Sequence, residues 1–400
     1  MAHASADIEI RDSADDEYRR RFADINAESF AGNAAHNMRW LQAAVPHAPL
    51  RLATIGGEIV GGYMLLPCGQ FFGGRSVPAQ AVTAVAVHPA FRRRGVAGAL
   101  MRECVTLARE LGSAVAPLHA ATVRLYRRWG WEVCSETLRH IVQTPALTGL
   151  VGSGDVRAKP YRPAVEALRR AHLSQWDGPL DRQDWFLSVE WDPGGDPDAL
   201  RYEYGWYEGD TLTGYVRYES SRQPNGWMRL IVSEFIVTTP DSLRGLLGFL
   251  GGQDSMSRDV AFAHSAITDV SALLFLLPEP HHAVQLEGFL CWMQRIVNVE
   301  AAMSARGWPA NAAGRAELEI TDPVTGVERV TLEVEGGEGH VARGGSGAIR
   351  CGIGALSSWY SSTLRARDGV QLGLFEGDAT ALSTMDSLIA GGLPWMPDFF

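Results

Sequence analysis

The stretch Thr83-Ala84-Val85-Ala86-Val87-His88-Pro89-Ala90-Phe91-Arg92-Arg93-Arg94-Gly95-Val96-Ala97-Gly98 decides how the rest of the chain is read. Its first five residues close a β-rich run that starts at Ala81, and Pro89, which has no N–H to give a ladder, predicts the end of that strand. Beyond the arginines an amphipathic helix is predicted from Gly95 to Leu111. Its apolar stripe is Val96, Leu100, Cys104, Leu107 and Leu111, at spacings of 4, 4, 3 and 4, and Gly112 supplies a C-cap. Strand, turn and helix in this order make an anion cradle. Small residues at Gly95, Ala97 and Gly98 let a ligand approach the backbone closely. The free N–H groups and the positive end of the helix dipole face it, and Arg92, Arg93 and Arg94 add charge-assisted hydrogen bonds.

Working outward, strands and helices alternate through the first 140 residues, which predicts an α/β layer. Asp15 to Phe30 reads as a helix, followed by two hairpins turning at Gly56-Gly57 and Gly73-Gly74. Ala114 to Leu118 is a strand, Ala121 to Trp129 a short helix and Trp131 to Cys134 a further strand. A break is expected near Thr148 to Gly154. Strands then dominate from Arg201 to Val237, with helices at Val165 to His172 and Ser242 to Leu250. After Gly307-Trp308-Pro309, Ala316 to Ile320 and Val330 to Val334 alternate apolar and polar as a hairpin with one face solvated. Leu273 to Leu277 is a strand or a helical turn, and Trp185, Trp191, Trp206 and Trp227 supply aromatic mass for a subunit contact.

Composition narrows the possible functions. The 400 residues are 46% hydrophobic, which excludes a mostly disordered chain. Thirty-six Lys and Arg against 46 Asp and Glu leave a net charge of −10, unsuited to sequence-independent nucleic-acid binding and favourable to cationic ligands. No run approaches the roughly 20 apolar residues of a membrane span. Met1 to Arg20 carries acids and no apolar core, so no secretory signal is expected. Cys68, Cys104, Cys134, Cys291 and Cys351 are scattered, and they read as buried thiols of a cytoplasmic protein, with no metal site. His281-His282, after Pro278-Glu279-Pro280, reads as a surface feature.

Arg92-Arg93-Arg94-Gly95-Val96-Ala97 resembles the Arg/Gln-x-x-Gly-x-Gly/Ala pyrophosphate loop of the GCN5-related N-acetyltransferases. Leu125-Tyr126-Arg127-Arg128-Trp129-Gly130-Trp131 resembles the same family's Tyr followed by Gly and an aromatic. Where the family often carries Asn-x-x-Ala, this chain has His119 and Thr122. Over its whole length, ending in Trp395-Met396-Pro397-Asp398-Phe399-Phe400, it is similar to the Eis (enhanced intracellular survival) family. The resemblance implies an α/β (α+β) chain with tandem acetyltransferase-like domains, catalytic over 1–150 and degenerate over 151–295. A sterol-carrier-protein-like sheet/helix domain over 296–400 would end in a catalytic C-terminus. It also implies acetyl-CoA as co-substrate, homo-hexamers, and acetylation of aminoglycoside amines at several positions.

Carried onto this sequence, the resemblance has Val85, Ala86 and Val87 meet the pantetheine and thioester, while Arg93, Arg94, Gly95, Val96, Ala97 and Gly98 hold the pyrophosphate. Ala121 and Thr122 line the cofactor further on. Tyr126 is the general acid, and the α-carboxylate of Phe400 is the general base. The chemistry fits these roles: a phenol with a pKa of about 10 is protonated at neutral pH and can supply the departing thiolate. A terminal carboxylate, at roughly 3.3–3.7, needs desolvation or a bridging water to act as a base. Asp24, Glu28, Trp40 and Asp398 are candidate walls for a cationic acceptor. A lysine or peptide N-acetyltransferase and a non-catalytic lipid- or CoA-binding protein remain alternatives at this level.

Overall fold

The structure, a computed structural model, describes residues 7–13, 15–186, 201–263, 266–267 and 270–400. Trp191 and the first six residues lie outside the described residues. Among the described residues thirteen strands form one sheet and five a second. The large sheet opens with Ile8–Asp12, Leu50–Ile55, Glu58–Phe72 and Arg75–Val87, antiparallel neighbours of which the last three are joined through the two Gly-Gly turns. Gly56, Gly57, Gly73 and Gly74 all take positive φ, the conformation these hairpin loops require. Val115–Ala120 follows, and beside it lies a strand from much later in the chain. Val284–Ile296 runs antiparallel to Val115–Ala120, from Cys291 opposite Ala120 to Ile296 opposite Val115, and its other edge pairs with Glu132–Gln143. The sheet then continues through Ser257–Phe262, Met228–Val237, Thr211–Arg222 and Arg201–Glu208 to Asp155–Ala158. The sheet is therefore continuous across Thr148 to Gly154, where the sequence predicts a break. Leu273 to Leu277 lies at the end of the helix Val270–Leu276.

The residues from Val299 onward make the smaller sheet. Gly314–Asp322 and Gly326–Glu335 form the expected hairpin, with alternating burial on the first strand, and the helices Ile353–Tyr360 and Ala379–Ser387 pack on it. Its core is continuous with that of the first region: Phe72, Trp292, Met303, Trp359 and Tyr360 belong to one buried cluster. Polar groups tie the regions as well. The Asp177 carboxylate accepts from the Gly73 amide at 2.7 Å and the Ser362 hydroxyl at 2.6 Å, and lies 3.6 Å from the Arg306 guanidinium. Arg295, on the inserted strand, is fully buried and donates to both Asp322 carboxylate oxygens at 2.8 and 2.9 Å. Its guanidinium fills the space a Cβ at Gly130 would need, 1.8 Å away, and Gly130 itself sits at φ +87.

Several surface expectations change. Trp206 is buried, its indole donating to Asp241 at 3.0 Å, so it is core and not contact surface. Trp185 stacks on His47, and Trp227 lies under Arg258. Four cysteines are buried as free thiols, whereas Cys291 is half-buried. No described helix is long and apolar enough to cross a membrane. Glu279, His281 and His282, all exposed, bring ligand atoms within 4.8 Å of one another.

Removing one partner of a buried ion pair leaves the other charge uncompensated, so Asp322→Ala is expected to cost about 3–5 kcal/mol. Urea unfolding of the variant beside the parent measures it.

Candidate active site

The site begins with a fault in a ladder. Between Glu58–Phe72 and Arg75–Val87 the register jumps from Gly62 opposite Ala86 to Met64 opposite Thr83, so Tyr63 faces both Ala84 and Val85. Ala84 takes φ +53, the strained conformation of a bulge residue. On its other side Arg75–Val87 pairs with Val115–Ala120 only at Ala79 opposite Val115. Past that point the strands part, and a cleft of about 950 Å³ opens between them. Val85, Ala86 and Val87 line one wall, and Ala121, Thr122 and Tyr126 line it from the segment after the neighbouring strand.

The turn below the strand carries the charge. Arg93 sits at φ +62 and Gly95 at φ +89, and Gly95 is the N-cap of the helix Val96–Glu110 with no side-chain capping bond. The first helical bond into this turn is from the Ala99 amide to the Gly95 carbonyl, 3.0 Å. Helix geometry thus leaves the amides of Val96, Ala97 and Gly98 for a ligand. Gly95, Val96, Ala97, Gly98 and Arg93 line the cleft as expected. Arg94 does not: its guanidinium lies 5.1 Å from the Phe91 ring, outside the lining. Arg92 lines the cleft in its place, with its Nε donating to the Val87 carbonyl at 3.2 Å. Arg124 and Arg128, absent from the sequence-based set, also line it. Four guanidiniums and no carboxylate border this cleft in a chain of net charge −10. A long anionic ligand with an apolar reactive end, such as acetyl-CoA, fits that donor set and volume.

Tyr126 is almost fully buried on the short helix Val123–Arg127 and meets Trp131 edge-on at 6.2 Å. Trp131 is locked by a 2.8 Å bond from its indole to the Ala116 carbonyl. Burial pushes the Tyr126 phenol well above its ordinary range, with a smaller push from Cys104, so it keeps its proton. Among the described residues no group hydrogen-bonds its hydroxyl. Tyr126 thus brings a protonated phenol to the lining of the cleft.

The remaining candidates separate. Asp24 and Glu28 are exposed on the helix Asp16–Phe30, whose last residues, Ser29 and Phe30, line the cleft, but neither acid lines it. Trp40 packs on the core and not on the cleft. Asp398 is fully buried, and its carboxylate is taken by Arg169 at 2.7 Å, Arg182 at 2.5 Å and the Leu180 amide at 2.6 Å. It is spent inside the protein and is not a wall for a substrate. Phe400, half-buried, and Phe399 each place their ring 5.1 Å from His119. Of the apolar ending, Trp395 and Met396 are buried, whereas Leu393 and Phe399 are largely exposed. His119, which stands where the family often has Asn, is the penultimate residue of the strand Val115–Ala120. Burial lowers its pKa to about 4, against smaller opposing effects of Asp398, so the ring is neutral. Only an N–H can bond a carbonyl, so the 2.7 Å contact of Nε2 with the Asp398 carbonyl is a donation, and Nδ1 is left buried without a partner.

Comparison with known proteins agrees with this geometry. Residues 9–134 and 178–296 each match the acetyltransferase (GNAT) domain, and residues 299–397 match the sterol carrier protein domain. An N-acetyltransferase of Streptomyces avermitilis is 27% identical over 354 residues, covering 82% of each chain. N-acetyltransferase Eis of Mycobacterium tuberculosis is 29% identical over 296 residues, 67% of each chain. The crystal structure of a GCN5-related N-acetyltransferase from Anabaena variabilis superposes with a TM-score of 0.90 at 26% identity, covering 98% of this chain and all of that one. Tandem acetyltransferase (GNAT) domains followed by a sterol carrier protein domain, with an arginine-glycine loop below a parted strand pair, make this chain a GCN5-related N-acetyltransferase, similar to Eis over two thirds of its length.

Proposed function

We propose that this enzyme moves acetyl from acetyl-CoA to amines of polycationic acceptors such as aminoglycosides, at more than one position, and works as a homo-hexamer in the cytoplasm. The observation that carries the reading is the cleft itself: an anion-binding turn, a parted strand edge and a protonated Tyr126 on one surface. Acetyl-CoA supplies the thioester. The pyrophosphate lies on the amides of Val96, Ala97 and Gly98 with Arg92 and Arg93, and Arg124 and Arg128 take remaining negative charge. A backbone N–H of the strand near Val85 polarises the thioester carbonyl. The amine nitrogen forms the new C–N bond as the C–S bond breaks, and Tyr126 gives its proton to the sulfur. The α-carboxylate of Phe400, directly or through a water, takes the proton the amine loses. The products are the amide and the free thiol of CoA, and the proton taken up by the carboxylate balances the one Tyr126 gave, so its return to Tyr126 resets the enzyme. The net charge of −10 draws cationic acceptors inward, and Asp24 and Glu28 expose carboxylates on the helix that ends at the cleft.

Tyr126→Phe is expected to lower kcat on the order of 100-fold or more while the Kd for acetyl-CoA stays within about twofold, since the hydroxyl acts on the transition state. CoA release and calorimetry read the two quantities, and equal losses in both would remove the acid role. Arg92→Ala is expected to weaken acetyl-CoA binding about tenfold, the loss of roughly one charge-assisted bond, whereas Arg94→Ala leaves it within about twofold. One Ala added after Phe400 is expected to abolish turnover of tobramycin, kanamycin and a lysine peptide in a folded protein.

A further inference from the structure

Two places fix the last residues of the sequence, and both lie in the second acetyltransferase-like region. Leu393 and Trp395 clasp Asp177 by backbone bonds: the Asp177 amide donates to the Leu393 carbonyl at 3.0 Å, and the Trp395 amide to the Asp177 carbonyl at 2.9 Å. The Trp395 ring then packs against Trp176 and His172. Three residues further on, Asp398 meets Arg169 of the helix Arg162–Leu173, Arg182 and the Leu180 amide. Arg169 is itself held from the other side by Glu234, at 2.6 Å from Nε. Burial pushes the Glu234 carboxyl up, but Arg169, Arg217 and Arg182 together hold it down to about 2. Arg169 therefore faces, in Glu234, a carboxylate that stays charged.

An ionic cluster this deep is a poor source of stability, because desolvation offsets most of its attraction. Its distinctive property is direction: a carboxylate seated between two guanidinium forks and an amide has one position. Trp395 and Met396, already buried, would hold the segment down by apolar packing alone. Phe400 packs against the large core as well, and the path by which the chain reaches it starts at the seat of Asp398. Two residues reach at most about 7 Å, so the seat of Asp398 limits where Phe400 can stand. The Asp398 carbonyl meanwhile takes the His119 Nε2 proton, and both following rings rest on that imidazole.

We infer that Asp398 is a positioning residue: Arg169 and Arg182 form an ionic latch that seats the tail on His119 and thereby fixes where Phe400 stands. The second acetyltransferase-like region, which carries both arginines, then serves catalysis by holding another region's proton acceptor. This rests on the reading of Phe400 as the base.

The test uses the full chain with acetyl-CoA and the fastest of tobramycin, kanamycin and a lysine peptide. Asp398→Asn is expected to lower kcat on the order of 10- to 100-fold, the cost of a misplaced group, with the acetyl-CoA KM within about twofold. Carboxypeptidase A should release Phe400 at least about tenfold faster from the variant, because the tail opens locally. Asp398→Glu, which keeps the charge, should recover part of the kcat. If Asp398→Asn does not fold, Arg182→Lys, which keeps the charge and loses the fork, tests the same contact by the same measurements. Unchanged kcat in the folded variant overturns the latch, as does a kcat loss with unchanged release of Phe400. The chain extended by one Ala is assayed in parallel. Its full activity would overturn the reading of Phe400 as base, whereas a dead extension beside a fully active Asp398→Asn overturns the latch alone.

Discussion

The active-site cleft exists because the strand Val115–Ala120 is held in the sheet by one edge and parts from its neighbour on the other. Successive residues of a strand direct their backbone groups to opposite edges, so a partner on one edge anchors the strand without occupying the groups that face the other. Here Val284–Ile296 takes one full edge of Val115–Ala120, from Cys291 opposite Ala120 to Ile296 opposite Val115. The opposite edge is then able to leave Arg75–Val87 after a single paired position, at Ala79 and Val115. The bulge at Ala84 turns the departing strand, and the gap between the two is where Val85 to Val87 and Tyr126 meet. The same inserted strand brings Arg295, whose guanidinium takes the place of a side chain at Gly130 and lies beside Trp131. Tyr126, edge-on to Trp131, is thus held in position by a residue far away in sequence.

Electrostatics in this protein is local before it is global. A chain with an excess of ten acids keeps carboxylates away from the one surface that must receive a polyanion, and borders it with Arg92, Arg93, Arg124 and Arg128. The helix at Gly95 begins with no acidic residue in its first turn and no side chain on its amides, so the whole of that dipole end faces the ligand. An acidic exterior and a basic cleft answer two different ligands: the donor carries phosphates and the acceptor carries amines.

What could be read in advance was what is local. The hairpins at Gly56-Gly57 and Gly73-Gly74, the helix after the arginines and the Tyr126 to Trp131 motif each announce themselves within a few residues. The insertion of Val284–Ile296 could not be read, because its partners are chosen by sheet edges that no short pattern encodes. Three consecutive arginines also look alike in sequence. Only the left-handed turn at Arg93 and Gly95 sends Arg92 toward the cleft and Arg94 onto Phe91. Asp398 misled for a related reason: an acid near the end of a chain looks solvated until Arg169 and Arg182, more than two hundred residues earlier, close on it.

The borrowed strand also sets when this enzyme can fold. The first acetyltransferase region leaves the ribosome long before residues 284–296 exist, with the edges of Val115–Ala120 and Glu132–Gln143 unpaired. At roughly 5–20 residues per second, those edges wait on the order of ten seconds for their neighbour. Over that interval they are open templates for the wrong partner, another nascent chain included. Yield in the cell then depends on the rate of synthesis and on chaperones that cover strand edges, quite apart from how stable the finished molecule is.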